Sequence, residues 1–86
     1  MDEETVLTSR RALLLEGRRR SRGRLRITDR AVRFTPHEGP VVEVPLAAVV
    51  AVRVARLPRR ALVLDTTTGP IRLRCYAMRA VAALLR

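Results

Sequence analysis

The sequence predicts a mainly β domain of about seven short antiparallel strands closed by one C-terminal α-helix. Apolar and polar residues alternate over short segments, and turn-forming residues separate these segments at close, regular intervals. Over the last ten residues the apolar period lengthens to that of a helix. A chain of 86 residues has room for one small domain with a modest core.

The N-terminal segment fits more than one type of secondary structure. Residues 1–10 suit either a frayed helical turn or a loose lead-in strand, so we predict a flexible or loosely attached lead-in and a folded domain over residues 11–86. A strand over 11–20, followed by a turn at 21–23, gives the next segment a neighbour in the sheet. A helix over 8–16 is the alternative, because Gly17 would suit its C-terminal end.

Residues 23–36 carry the clearest β signal in the chain. Leu25 and Ile27 share one face of a strand, and Val32 and Phe34 share a face of the strand that follows a polar turn. Arginines occupy the alternate positions. The pattern predicts a β-hairpin with one side in the core and one arginine-coated side in solvent.

The middle of the chain is divided by prolines and glycines. Val50, Val52 and Val54 alternate with polar or small residues and predict a strand with one apolar side. The predicted elements are a turn at 36–40, strands at 41–44, 49–56, 61–65 and 71–75, one helical turn at 45–48, and turns at 58–60 and 67–70.

The C-terminal segment 77–86 has apolar residues at helical spacing. Met78, Val81, Ala82 and Leu85 form one stripe. A ten-residue helix has little stability in water without packing, so we expect this stripe to cover the open end of the barrel. Phe34, Leu25, Ile27, Val52 and Leu73 are the residues predicted to lie together beneath it.

The chain is strongly basic, with a formal net charge of +10. All 18 basic residues are arginine, which either serves binding or reflects the codon usage of a GC-rich genome. A domain with this charge is expected to attract polyanions, either nucleic acid or an anionic membrane surface.

Little in the sequence suggests catalysis, a metal or a cofactor. His37 falls in a proline-glycine turn without a sequence partner, and Cys75 alternates in register with Ile71 and Leu73 as a small core residue would. A single cysteine excludes an internal disulfide. There is no apolar run of about 20 residues and no secretory signal pattern. We therefore expect a non-enzymatic cytoplasmic protein, with peripheral membrane association as a further expectation.

The order of motifs from residue 23 to the C-terminus resembles that of GRAM domains and related bacterial pleckstrin-homology-like (PH-like) domains. The resemblance implies a PH-like barrel of about seven strands capped by one helix. It rests on Gly23-x-Leu25-x-Ile27-Thr28-Asp29 followed by Phe34, on Val44-Pro45-Leu46-Ala47-Ala48-Val49, and on Asp65-Thr66-Thr67-Thr68-Gly69 before the last strand and helix.

The same resemblance implies an anion-binding site. PH-like domains that bind phosphoinositides carry basic residues in the first strand, the next loop and the second strand. By this correspondence Arg18 and Arg20 precede the loop, Arg22 lies in it, and Arg24 and Arg26 follow it. The alternative is a solvated arginine face, since the same spacing recurs at residues 72–74, which are predicted to lie apart from this cluster.

The expected function is that of a binding module for an anionic surface such as membrane lipid headgroups, through the arginine-rich first hairpin. A protein partner bound at an edge strand and non-specific binding of nucleic acid are the alternatives. Nucleic acid is less favoured because Phe34 and Tyr76 are the only aromatic residues, whereas single-strand binding surfaces stack bases on several aromatics.

Overall fold

The computed structural model describes residues 3–86, which form seven antiparallel strands and one C-terminal helix, as the sequence predicts. None of the helices in this range is long and apolar enough to cross a membrane. The elements are β1 (Val6–Glu16), β2 (Arg19–Thr28), β3 (Ala31–Pro36), β4 (Val42–Pro45), a 3₁₀ turn (Leu46–Ala48), β5 (Val49–Ala55), β6 (Ala61–Thr66), β7 (Gly69–Cys75) and α1 (Met78–Leu85).

The strands form one sheet in the order β4-β3-β2-β1-β7-β6-β5. The long strand β1 pairs with β2 over its whole length and with β7 over residues 12–15, so it joins the two halves of the sheet. Strands β4 and β5 are the edges. The chain therefore places its first and last strands side by side, and this adjacency builds the site described below.

The sheet curves around one apolar core. Leu25, Ile27, Phe34 and Leu73 are buried in a single cluster, and Val52 packs against it partly buried. Because all seven strands and the helix contribute side chains to this cluster or pack against it, the inward face of the sheet is continuous, and the predicted core is confirmed. The strands contribute most of the fully buried volume, with Phe34 as the largest buried side chain.

The helix covers the core with the predicted stripe. Met78, Val81 and Ala82 are buried, and Leu85 packs partly buried against the cluster. The chain turns from β7 into the helix at Ala77, whose φ of 56° lies in the left-handed region. The helix contacts β5 and β6, which places it over the half of the sheet that ends in the β5 edge.

Strand β6 is buried on both faces. Leu62 and Leu64 point into the core cluster, and Ala61 and Val63 point the other way, yet all four are completely buried. The cross-strand neighbours of Val63 are arginines of β5 and β7, whose aliphatic stems are of the kind that covers apolar surface.

The prediction of the first turn is wrong, and part of the predicted lead-in belongs to the sheet. The first turn lies at residues 17–18, where Gly17 has a φ of 60°, and the segment 21–23 belongs to β2. The predicted lead-in also enters the sheet, because residues 6–10 pair with β2. Just before them, the backbone N–H of Thr5 donates to Asp29 Oδ1 at 3.0 Å, and Asp29 N–H donates to the Thr5 carbonyl at 3.0 Å. Residues 1 and 2 of the lead-in lie outside the described range.

The predicted strand at 49–56 is present but its faces change at a bulge. The register with β6 shifts between Val49 and Ala51. Val50 is therefore not on the side of Val52 and Val54 and is 72% exposed. An extra residue at a bulge reverses the facing of the residues before it.

Candidate anion-binding face

Strand β2 presents four of the five predicted site residues on one side. Residues two apart on a strand point the same way, and Leu25 and Ile27, at the alternate positions, are fully buried. The outward positions are Arg20, Arg22, Arg24 and Arg26, all exposed. Arg18 lies in the turn before the strand, so the loop assigned to Arg22 by the sequence resemblance is occupied by Arg18.

Strand β1 adds an arginine and two leucines to the same side. Its register places Arg11 opposite Arg24, Leu13 opposite Arg22, and Leu15 opposite Arg20. Directly paired residues of adjacent antiparallel strands share a face of the sheet. Leu13 and Leu15 are only half-buried here, so an apolar strip lies between charged neighbours.

Strand β7 supplies the other side of that strip. Leu13 is also paired with Arg74, and Leu15 with Arg72. The expectation that residues 72–74 lie apart from the hairpin cluster is therefore wrong, because β7 is the direct neighbour of β1. We call this surface the basic face; it consists of Arg11, Arg20, Arg22, Arg24, Arg26, Arg72 and Arg74 together with Leu13 and Leu15.

Two depressions lie along the leucine strip. One, of about 540 Å³, is lined by Arg11, Leu13, Arg22, His37 and Arg74 together with Ala12 and Gly23. The other, of about 480 Å³, is lined by Leu15, Gly17, Arg18, Arg20, Pro58, Arg59 and Arg72. Each brings guanidinium groups from different strands around an apolar floor, and the second shows that the β5–β6 loop reaches the basic face.

Ion pairs mark both sides of the basic face. Beyond Arg26, the next cross-strand residue is Arg33, which pairs with Glu43 through its Nε at 3.1 Å and through its Nη2. This hydrogen bond and the charge of Glu43 raise the pKa of Arg33 above its ordinary value. On the other side, Arg53 Nε donates to Asp65 Oδ2 at 3.2 Å.

The arginines between these borders differ from Arg33 and Arg53 in their charged neighbours. Within residues 3–86, no carboxylate forms an ion pair with any arginine of the basic face. Arg24 Nη1 donates to Ser9 Oγ at 3.2 Å, which fixes its position without neutralising its charge. Guanidinium groups that are not engaged in ion pairs can bind phosphate or carboxylate groups through charge-assisted hydrogen bonds.

The residues screened for catalysis have ordinary surroundings. His37 is exposed in the β3–β4 loop, and its backbone N–H donates to the Arg22 carbonyl at 2.9 Å. Cys75 is half-buried, and desolvation raises the pKa of its thiol, although the charge of Arg10 opposes the shift. In the part of the chain that the structure describes, no three His, Cys, Asp or Glu side chains are placed to hold a metal ion.

Sequence reasoning missed Arg11, Arg72 and Arg74 as members of the face. A local signal existed for Arg11, which alternates with Leu13 and Leu15 in one strand. No local signal could have found the other two, because their place depends on the pairing of β1 with β7 across about 60 residues of chain.

Comparison with known proteins bears on the fold. No family model and no curated protein matches the sequence. A solved structure does match. The crystal structure of the C-terminal domain of an unknown protein from Leishmania infantum has a TM-score of 0.78 and 20% sequence identity over 95% of this chain and 82% of that chain. The two chains share a fold, and at this identity the likeness shows the fold alone.

Proposed function

We propose that this protein is a non-enzymatic binding module of the PH-like, GRAM-type class that recognises anionic membrane surfaces through the basic face. The observation that carries the proposal is the gathering of seven arginines on three adjacent strands, none of them ion-paired with a carboxylate of residues 3–86, between borders where arginines do form ion pairs. The order of sequence motifs supports the class, and the seven-stranded sheet with its C-terminal helix is compatible with it.

The dimensions of the face suit an array of lipid headgroups. Alternate residues of a strand are about 6.6 Å apart and adjacent strands about 4.8 Å apart. Neighbouring guanidinium groups therefore lie within the Debye length of about 8 Å at physiological salt, and their potentials add. Each basic side chain near an anionic membrane contributes about 1 kcal/mol.

Exposed apolar side chains lie beside the arginines. Leu57, which is 82% exposed, precedes Pro58 and Arg59 at the depression near Leu15. Tyr76, which is 89% exposed, follows the last residue of β7. Arg10 Nη1 donates a hydrogen bond to its backbone carbonyl at 2.8 Å. Tyrosine is enriched at membrane interfaces, and an exposed leucine can enter the acyl region, so both residues favour a lipid surface over free anions.

The test is binding to vesicles of phosphatidylcholine with and without phosphatidylserine, followed by sedimentation. Arg22→Glu with Arg74→Glu reverses the two arginines that flank Leu13. We expect at least about a tenfold loss of affinity for anionic vesicles, since both arginines' contributions are removed and repulsion is added.

The matched control is Arg79→Glu on the helix with Arg86→Glu just after it, which lowers the net charge equally and lies off the basic face. It should bind within about threefold of the unmodified protein, and thermal unfolding should show that both variants are folded. Equal losses from the two pairs would mean diffuse charge attraction without a site. Binding to duplex DNA without binding to vesicles would reject the lipid surface.

A further inference from the structure

The only histidine of the chain lies on the proposed binding surface. His37 is in the β3–β4 loop and lines the depression of about 540 Å³ on the basic face, which we call the Leu13 depression. It also lines an adjacent depression of about 460 Å³. The backbone N–H of His37 donates to the Arg22 carbonyl at 2.9 Å, which holds the loop against β2. The fold therefore places the imidazole side chain beside the arginines of the basic face.

The charged groups that face His37 come from three strands and from its own loop. Arginines of β1, β2 and β7 line the two depressions with it. They are Arg11, Arg19, Arg20, Arg22 and Arg74. Glu38, the next residue in the loop, is the only carboxylate among the described residues that line either depression, and it lines the adjacent one alone. The Leu13 depression thus brings an imidazole together with guanidinium groups, and none of its described lining residues is a carboxylate.

An imidazole differs from a guanidinium group because its charge changes near neutral pH. Imidazole side chains generally gain a proton as the pH falls from about 8 to 5, whereas guanidinium groups remain charged throughout. An anion held by the arginines attracts an imidazolium beside it, so anion binding and proton uptake favour each other. Binding at the Leu13 depression should therefore be strongest in mildly acidic solution.

We propose that His37 is a pH-dependent binding residue of the basic face, whose protonation strengthens binding to anionic membranes as the pH falls from about 7.5 to 5.5. The inference rests on the proposed membrane function and adds a means of regulating it. One imidazole accounts for the response, because the chain has no second histidine. Burial raises the pKa of the Cys75 thiol, which keeps that group uncharged over this range.

The first experiment measures sedimentation with vesicles of phosphatidylcholine and phosphatidylglycerol, an anionic lipid whose phosphodiester charge is constant over this pH range. At constant ionic strength, the affinity of the unmodified protein should rise about fivefold between about pH 7.5 and 5.5, which is the effect of one more basic side chain near an anionic membrane. His37→Gln, which is neutral at every pH, should lose this rise. His37→Arg should bind at both pH values as tightly as the unmodified protein binds at the lower one.

A histidine placed off the basic face is the matched control. His37→Gln combined with Arg79→His carries one histidine at an exposed position of the helix and gains the same charge on acidification. Its affinity should change by less than about twofold between the two pH values. Both substitutions of His37 keep the backbone N–H that bonds Arg22, and thermal unfolding checks that every variant is folded. A rise in His37→Gln equal to that of the unmodified protein, or a full rise restored by Arg79→His, would overturn the proposal.

A second measurement separates this inference from the membrane function. NMR follows the titration of the His37 ring protons in sodium sulfate and in sodium chloride of equal ionic strength. Sulfate should move the midpoint to higher pH by about 0.3 unit or more, a twofold gain in proton affinity, and Arg22→Glu with Arg74→Glu should abolish the difference. An unchanged midpoint would reject the role of His37 even if the protein binds vesicles. A raised midpoint in a protein that binds no vesicles would support His37 as an anion-binding residue and reject the membrane function.

Discussion

Replacement of Gly23 by alanine tests the close approach of β2 and β3. Gly23 is buried within β2 and paired with Pro36. A Cβ atom built on Gly23 would overlap the carbonyl oxygen of Thr35 and would lie 2.7 Å from Pro36 Cα and 2.8 Å from Phe34 Cζ. Two of these three atoms belong to the backbone of β3, so a side-chain rotation cannot relieve the overlap.

The cost should be large for so small a domain. Overpacking a well-packed interior costs about 1–3 kcal/mol, and more where the backbone must move. We therefore expect Gly23→Ala to lower the free energy of unfolding by about 3 kcal/mol or more. At roughly 0.05–0.15 kcal/mol per residue, this is a substantial part of the stability of an 86-residue chain. The corresponding fall in melting temperature is about 12–24 °C.

The assay is urea unfolding followed by circular dichroism, with Gly17→Ala as the matched control. A Cβ on Gly17 would meet no atom within 4 Å, but its φ of 60° disfavours alanine, so the expected loss is only about 1 kcal/mol. If Gly23→Ala unfolds within about 0.5 kcal/mol of the unmodified protein, or if Gly17→Ala proves the more damaging change, the packing argument is refuted.

Two further predictions concern the core and its margin. Phe34→Ala should lower the free energy of unfolding by about 3–5 kcal/mol, because Phe34 is only 2% exposed and belongs to the core cluster. A loss below about 1 kcal/mol in urea unfolding would show that the ring contributes little to the stability of the core. Cys75 should react with iodoacetamide at least about tenfold more slowly at pH 8 in the native protein than in urea, because burial shields the thiol and the raised pKa reduces its thiolate form. Equal rates of alkylation in the native and unfolded protein would contradict the burial of the thiol. The raised pKa also makes the free energy of unfolding depend on pH: its contribution is full below the pKa of the thiol in the unfolded chain and is lost as the pH rises through the higher pKa of the folded state.

The local features of the fold could be predicted because they depend on neighbouring residues. The alternation of Leu25 and Ile27 with arginines determines which side of β2 enters the core, wherever the strand lies in the sheet. The stripe of the helix and the 3₁₀ turn after Pro45 are equally local. The structure confirms these elements, and the bounds of the helix and of the 3₁₀ turn differ from the predicted ones by one residue.

The first turn could not be placed because two glycines fit the same local pattern. Gly17 and Gly23 are both followed by arginine, and either can end a strand. The choice depends on β3, which approaches so closely that the position opposite Pro36 excludes a side chain. Gly23 is thus required by a contact with another strand, and Gly17 by the turn.

The candidate site was predictable only along one strand. The resemblance grouped Arg18, Arg20 and Arg22 with Arg24 and Arg26 across a predicted turn, whereas the structure places Arg20, Arg22, Arg24 and Arg26 on one side of β2. The contribution of Arg72 and Arg74 follows from the neighbour of β1 in the sheet, which the pattern of β7 itself does not encode.

The complete burial of residues 61–64 has a consequence for the unfolded chain. This segment is an uninterrupted run of alanine, leucine and valine, which in the native sheet is hidden on both faces. When the domain opens, the run becomes an apolar, strand-forming stretch of the kind that self-associates. Arg59 and Arg60 immediately precede it and Asp65 follows it, so the charges at both ends act as gatekeepers against aggregation. We therefore expect some arginines of this chain to protect its unfolded state, whatever they bind in the folded one.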